Sequence, residues 1–178
     1  MLKQFKMMYL NSCPIIFAST QYGYVQIFVD TGAAYPVWTG NYNKLEKYHC
    51  RQISKNEAVT IEVLGGNPRS TVYVIDISIN GIGFIDLPIL VSRMERFPAD
   101  LLISSGMLSQ FNIQFNNQLG TMIFDTIRDA ASYELLFTNE SGSVFRAIDA
   151  LRDQNLLIDT PIPLKETKLW RDTFSINV

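Results

Sequence analysis

An acid, a hydroxyl and a glycine follow directly on an apolar, β-branched run in Val25-Gln26-Ile27-Phe28-Val29-Asp30-Thr31-Gly32-Ala33-Ala34. The run predicts a buried strand. A strand leaving the core delivers Asp30 to a fixed position, where a carboxyl group can exchange a proton with a bound water or substrate. Gly32 lets the backbone turn tightly with no Cβ in the way, and Thr31 offers a hydroxyl to tie the loop down. Asp, Thr and Gly are also ordinary turn formers, and the chain carries its own comparison. Asp125-Thr126 and Asp159-Thr160 repeat the first two letters but run on into Ile127 and Pro161. Asp30 alone combines a strand before it with a glycine after it.

A second pair with chemical potential is His49 beside Cys50. No Cys-x-x-Cys or second histidine completes a zinc site, and two cysteines, Cys13 and Cys50, make no disulfide framework. The expectation is a structural pair, no metal and no cofactor, in a reducing compartment.

The elements that must position Asp30 follow from the flanking pattern. Pro14 to Ala18 predicts a strand, and Thr20-Gln21-Tyr22-Gly23 a turn into the strand that carries Asp30, so a hairpin places the acid at the end of its second arm. Gly40 to Asn43 reads as a loop, Lys44 to Tyr48 as a short helical turn, and Pro36 and Trp38 as packing residues beneath the Asp30 loop. Ala58 to Leu64 and Thr71 to Ile79 predict strands around Gly65-Gly66-Asn67-Pro68-Arg69-Ser70, a glycine-rich turn. Asn80-Gly81 is the strongest hairpin signal in the chain. It leads into Phe84 to Val91, where Leu87-Pro88 marks an edge or a bulge, and then into a solvated charged loop, Arg93 to Arg96.

Further along, Asn116-Asn117-Gln118 turns the chain into Leu119 to Phe124. Beyond that, Tyr133 to Phe137 predicts a strand. Ser143 to Gln154 predicts an amphipathic helix with Val144, Ile148 and Leu151 on one face, and Thr173 to Val178 alternates weakly like an edge strand.

The 178 residues are 47% hydrophobic and 18% charged, an ordinary globular balance long enough for a real core. A formal net charge of −2 with no dense Lys/Arg cluster argues against nucleic acid as a partner. No stretch approaches the roughly 20 apolar residues that span a bilayer. The N-terminal ten residues lack the hydrophobic region and cleavage site of a signal peptide. No membrane association is expected, and the location expected is cytoplasmic.

The Asp30-Thr31-Gly32-Ala33 loop resembles the active-site loop of aspartic peptidases. With one such loop in a short chain, it resembles the retroviral type, the retropepsins. Ala33 to Trp38 is similar to the continuation seen in bacterial members. In that family a second motif has two apolar residues followed by glycine, then a short helix and a strand. Leu102-Ile103-Ser104 occupies that place, with serine where glycine is usual, and the resemblance implies Met107 to Phe111 as the helix and Asn112 to Phe115 as the strand. The Gly65-Gly66-Asn67 hairpin sits where the family has its flap, a mobile arm that closes over substrate. The resemblance covers about residues 12–125, as one domain, with residues 126–178 as a C-terminal extension packed on the domain or used in dimerisation. It implies a mostly β fold: a closed β-barrel of the acid-protease half type, with a flap hairpin and one short helix, followed by an extension containing a helix.

The resemblance also implies a mechanism. Two carboxyl groups share a water; the ionised one takes its proton while the protonated one donates to the peptide carbonyl. Carboxyls in such contact titrate as a unit. This chain supplies one such aspartate, so the reaction requires a homodimer with Asp30 of each subunit at the two-fold axis. Thr31 would hold its counterpart across the dimer, Gly32 would shape the substrate floor, and an extended peptide would lie under the flaps like an added strand. Two other readings compete. One is a catalytically inactive dimer of the same fold acting as a peptide-binding or scaffold module, and the other is an unrelated small β domain with an incidental turn.

Overall fold

Residues 2–30, 32–33, 35–61, 66–92, 97–108, 111–126 and 147–174 are described in the computed structural model. The chain begins with β1 (Leu2–Leu10), β2 (Cys13–Thr20), β3 (Gly23–Val29), β4 (Val37–Trp38) and α1 (Tyr42–Glu46). It continues with β5 (Arg51–Ser54), β6 (Val59–Thr60), β7 (Arg69–Ser70), β8 (Tyr73–Ile79), β9 (Ile82–Val91) and β10 (Leu101–Ile103). Then come α2 (Ser105–Leu108), β11 (Phe111–Asn116), β12 (Thr121–Thr126), α3 (Ala147–Asp153), β13 (Leu157–Pro163), a 3-10 turn (Leu164–Glu166) and α4 (Lys168–Phe174). The fold is mostly β with a few short helices.

Eleven strands form one sheet in the order β11-β12-β1-β2-β3-β10-β4-β9-β8-β5-β13, and β6 and β7 pair separately. The closed barrel expected from the sequence is not what forms: the sheet is open, with β11 and β13 as its edges. The reason is visible in β13. Pro161 and Pro163 have no N–H to give a further strand, and the pairing with β5 breaks register between Leu157 and Ile162. Such a strand ends a sheet.

The hairpins follow local chemistry. β2 and β3 pair from Ile15↔Phe28 to Thr20↔Gly23. Asn80 and Gly81 both adopt left-handed backbone, φ 47° and 82°, and turn β8 into β9 with the twist that two-residue hairpins need. The bulge signalled by Leu87-Pro88 lies just before it: Ile75 pairs with Leu87 but Ile77 with Phe84, and Asp86 takes φ 51°.

β1 is a strand that sequence reading did not assign. Phe5 and Met7 are buried while Gln4, Lys6 and Met8 face outward, and the strand pairs with both β12 and β2. Three other expectations shift. The helix over Met107 to Phe111 is α2, ending at Leu108, and Phe111 opens β11. Thr173 and Phe174 close α4 rather than starting a strand. The helix over Ser143 to Gln154 is α3 from Ala147. The Tyr133 to Phe137 strand and the Arg93 to Arg96 loop lie outside the described residues.

Two apolar clusters form the core. The larger one runs through the main sheet, with Ile27, Trp38, Ile75, Leu101 and Ile103 among its buried members. The smaller joins Ile53, Ala58, Val72, Val74, Leu90 and Leu151. Partly buried Tyr35, Val37, Val59 and Ile61 pack on this second cluster, as do Ile148, Leu156 and Leu157 from the C-terminal segment.

One residue clips the layers beneath β3. The Asp100 N–H donates to the Gln26 carbonyl at 2.8 Å, and its own carbonyl accepts from the Thr39 and Gly40 N–H groups at 2.8 and 3.1 Å. Its Oδ2 accepts from the Gln26 N–H at 3.1 Å and from Lys44 Nζ at 3.0 Å. A Cβ on Gly40 would stand 2.8 Å from Asp100 Oδ1 and 3.2 Å from its Cα. Neither atom is free to retreat. Gly40→Ala is therefore expected to destabilise by about 1–3 kcal/mol, the usual range for overpacking, read as a lower urea midpoint at unchanged slope.

Candidate active site

β3 carries Val25, Ile27 and Val29 into the core and releases the chain at Asp30. The Asp30 N–H still donates to the Ile103 carbonyl, at 3.2 Å, so the residue stays tied to the sheet. The loop then folds back on the acid. Gly32 N–H donates to Asp30 Oδ1 at 2.8 Å, and Ala33 N–H to the Asp30 carbonyl at 3.4 Å. A Cβ at position 32 would lie 3.3 Å from Asp30 Oδ1, so glycine is what allows the amide to approach the carboxyl this closely. Thr31 lies outside the described residues. Asp30 is half-buried.

β10 brings the second motif alongside. It pairs in parallel with β3, Leu101↔Ile27, Leu102↔Phe28 and Ile103↔Val29, and on its other side antiparallel with β4, Leu101↔Trp38 and Leu102↔Val37. Two segments more than 70 residues apart in sequence thus lie in adjacent registers. Ser104 follows at once, fully buried, and its carbonyl accepts the Leu108 N–H at 3.0 Å. Its hydroxyl has no hydrogen-bond partner among the described residues.

Gly66 and Asn67 stand apart from this group, exposed on the connection between β6 and β7, while Gly65 lies outside the described residues. The hairpin is held by Val59↔Ser70 and Thr60↔Arg69 and by the Ile61 N–H on the Pro68 carbonyl at 2.8 Å. At its base Arg69 Nε donates to the Glu57 carbonyl at 2.9 Å, and the Glu57 N–H to Thr71 Oγ1 at 2.9 Å. Tyr35, just past the Asp30 loop, packs on the smaller apolar cluster beneath this hairpin, and burial pushes its hydroxyl up to about 12.

The residues that clip β3 to its neighbours, Asp100, Gln26, Lys44 and Gly40, were not singled out from sequence. Their contacts join positions up to 74 apart, and nothing local marks them.

His49 and Cys50 do not act as a pair. Cys50 is buried in the core, where desolvation pushes its thiol up to about 12 against the opposing pull of Arg51, and both cysteines are free. His49 Nδ1 lies 2.9 Å from Asp76 Oδ2. Burial raises the Asp76 carboxyl, but the Asp86 N–H at 3.0 Å, the His49 ring and the Arg51 guanidinium outweigh it, and its pKa falls below the ordinary 3.8. Arg51 also pairs with Asp86. A carboxyl with a depressed folded-state pKa adds stability above its unfolded value and loses it as pH falls through the folded one. Stability is therefore expected to drop below about pH 4, and Asp76→Asn to flatten that limb. The group is a third exposed, so the contribution is about 1 kcal/mol or less; urea midpoints against pH measure it.

Among the described residues, no group of three or more His, Cys, Asp or Glu could hold a metal ion, and no helix is long and apolar enough to cross a membrane.

No protein family and no curated protein matches the chain. Among solved structures it is similar to a retropepsin-like aspartic protease from Rickettsia conorii, with a TM-score of 0.47 and 15% identity over 70% of this chain and 91% of that one. It is likewise similar to the EIAV protease complexed with the inhibitor HBY-793, with a TM-score of 0.42 and 25% identity over 57% of this chain and 90% of that one.

Proposed function

We propose that the chain is an aspartic endopeptidase that works as a C2 homodimer and hydrolyses extended peptides with a water shared by two Asp30 carboxyls. The observation that carries this reading is the Asp30 loop. An acid at the end of a core strand has one carboxyl oxygen held by the Gly32 N–H at 2.8 Å. Its backbone is tied to the parallel strand of the second motif. A carboxyl held by a backbone N–H on a residue tied to two strands is positioned as proton transfer to a bound water needs. One copy supplies one such group, and a second copy brings the other, so that the pair shares a proton.

In this reading Asp30 is the catalytic residue, Thr31, Gly32 and Ala33 form its loop, and Leu102, Ile103 and Ser104 back it. The β6–β7 hairpin, with Gly65, Gly66 and Asn67 toward its end, is the flap, and the substrate pairs with it by backbone hydrogen bonds. The location proposed is cytoplasmic, and neither metal nor other cofactor takes part.

Ser104 favours a second reading. A buried hydroxyl where the resembling family has glycine suits a dimer that keeps the fold and binds peptides without cutting them.

Cleavage of a diverse peptide library from acid to neutral pH, over protein concentrations that span dimer formation, separates the two. Specific activity that rises with concentration and levels off with the dimer supports the peptidase. A preparation shown to be dimeric that cuts nothing moves the assignment to the binding module.

A further inference from the structure

Ser104 is fully buried, and its Oγ has no hydrogen-bond partner among the described residues. Such a hydroxyl is a net cost to folding, and a native chain that keeps one has a use for it elsewhere. Its position narrows the use. The Ser104 carbonyl accepts the Leu108 N–H, so the residue stands just before the first turn of α2, where a serine hydroxyl ordinarily caps a helix N–H. Here it makes no such bond.

The parallel register Ile103↔Val29, extended by the Asp30 N–H on the Ile103 carbonyl, sets Ser104 beside Asp30. Neighbouring strands run about 4.8 Å apart, and successive side chains alternate faces. Ile103 and Val29 both enter the large core, and Ser104 and Asp30 are the next residues, just past the ends of β10 and β3. Among the described residues, the Asp30 carboxyl accepts one bond, from Gly32 N–H on Oδ1. The outer torsion of an aspartate is broad, so a second bond, on Oδ2, would narrow the range that the first leaves.

Resting on the peptidase reading, we propose that Ser104 is a positioning residue for Asp30. Its side chain rotates one staggered step so that the hydroxyl donates to Oδ2, and the carboxyl plane is then held at both oxygens. Serine in place of glycine is, on this view, a working part of the site. The gain is orientation: a carboxyl already set at the angle the shared water requires needs no ordering in the transition state.

The test uses the full chain with Ser104→Ala, which removes the hydroxyl and keeps the Cβ, and Ser104→Gly, which removes both. The expected result is a fall in kcat of about tenfold in each variant with KM within about twofold, because both lose the bond that orients the carboxyl. A structural role would instead lower stability and leave kcat intact. Unchanged kcat in Ser104→Ala, or a faster Ser104→Gly, overturns the proposal.

The amide resonance of Gly32, whose N–H is bonded to the same carboxyl, is a readout that needs no turnover. A shifted and less exchange-protected Gly32 amide in Ser104→Ala supports the positioning role, and an unmoved one overturns it. If the wild-type dimer cleaves nothing, the peptidase reading falls, while this resonance still decides whether Ser104 holds Asp30.

Discussion

Asp30→Asn is expected to lower kcat/KM for peptide cleavage by at least about 10³-fold, the scale of lost general acid–base catalysis, while leaving the fold intact. The substitution is nearly isosteric. The amide oxygen can still accept the Gly32 N–H that now binds Oδ1 at 2.8 Å, so the loop keeps its shape. What disappears is the capacity to take a proton from water. In a homodimer one codon changes both halves of the pair, so no wild-type carboxyl remains to carry residual turnover. Progress curves on a peptide cut by the wild type measure the loss, with circular dichroism melts as the control. A variant that melts normally and still cuts at the wild-type rate would place the chemistry on another residue.

The largest effect on stability is expected at Trp38. β4 has two residues, yet it stands between β10 and β9 and joins the two halves of the main sheet. Trp38 pairs with Leu101 on one side and Val91 on the other. Its indole is fully buried, donates to the Asn41 carbonyl at 3.2 Å and lies 5.8 Å from the Tyr48 ring. Trp38→Ala opens a cavity that strands fixed on both sides collapse into poorly, at a cost of about 3–5 kcal/mol. Against the 5–15 kcal/mol typical of a domain, that brings the chain near the limit of folding. Trp38→Phe is expected to lose much less. The ring volume is mostly kept, and the Asn41 carbonyl retains the Leu45 N–H at 3.1 Å. Urea unfolding of the two variants against the wild type reads the difference.

What could be read from sequence was short-range. The Asn80-Gly81 turn and the β2–β3 hairpin each announce themselves within a few residues, and each is present; so is the strand that ends at Asp30. What could not be read depends on distant partners. β1 has lysines at 3 and 6 among apolar residues, and one of its two partner strands, β12, lies over a hundred residues away. The Asp100 clip joins Gln26, Thr39, Gly40 and Lys44 across loops that no pattern links. The open sheet follows from Pro161 and Pro163 in a strand whose placement against β5 was not foreseen.

At the C-terminal end, a local signal was present and passed over. Thr167 caps α4 through its Oγ1, which accepts the Trp170 N–H at 3.3 Å, and Leu169 and Trp170 pack on the core. That is a helix start by hydroxyl and apolar spacing, and the helix runs on through Thr173 and Phe174, where alternation had suggested the start of a strand.

The smaller apolar cluster sets a timetable for the nascent chain. The footing of the β6–β7 hairpin, Ala58, Val59 and Ile61, is completed by Ile148, Leu151, Leu156 and Leu157, which the ribosome delivers about 90 residues later. Until they arrive, Tyr35, Val37 and the hairpin base keep an uncovered apolar side. Pairing across so long a stretch of chain is slow, and until it happens the hairpin base stays unsupported.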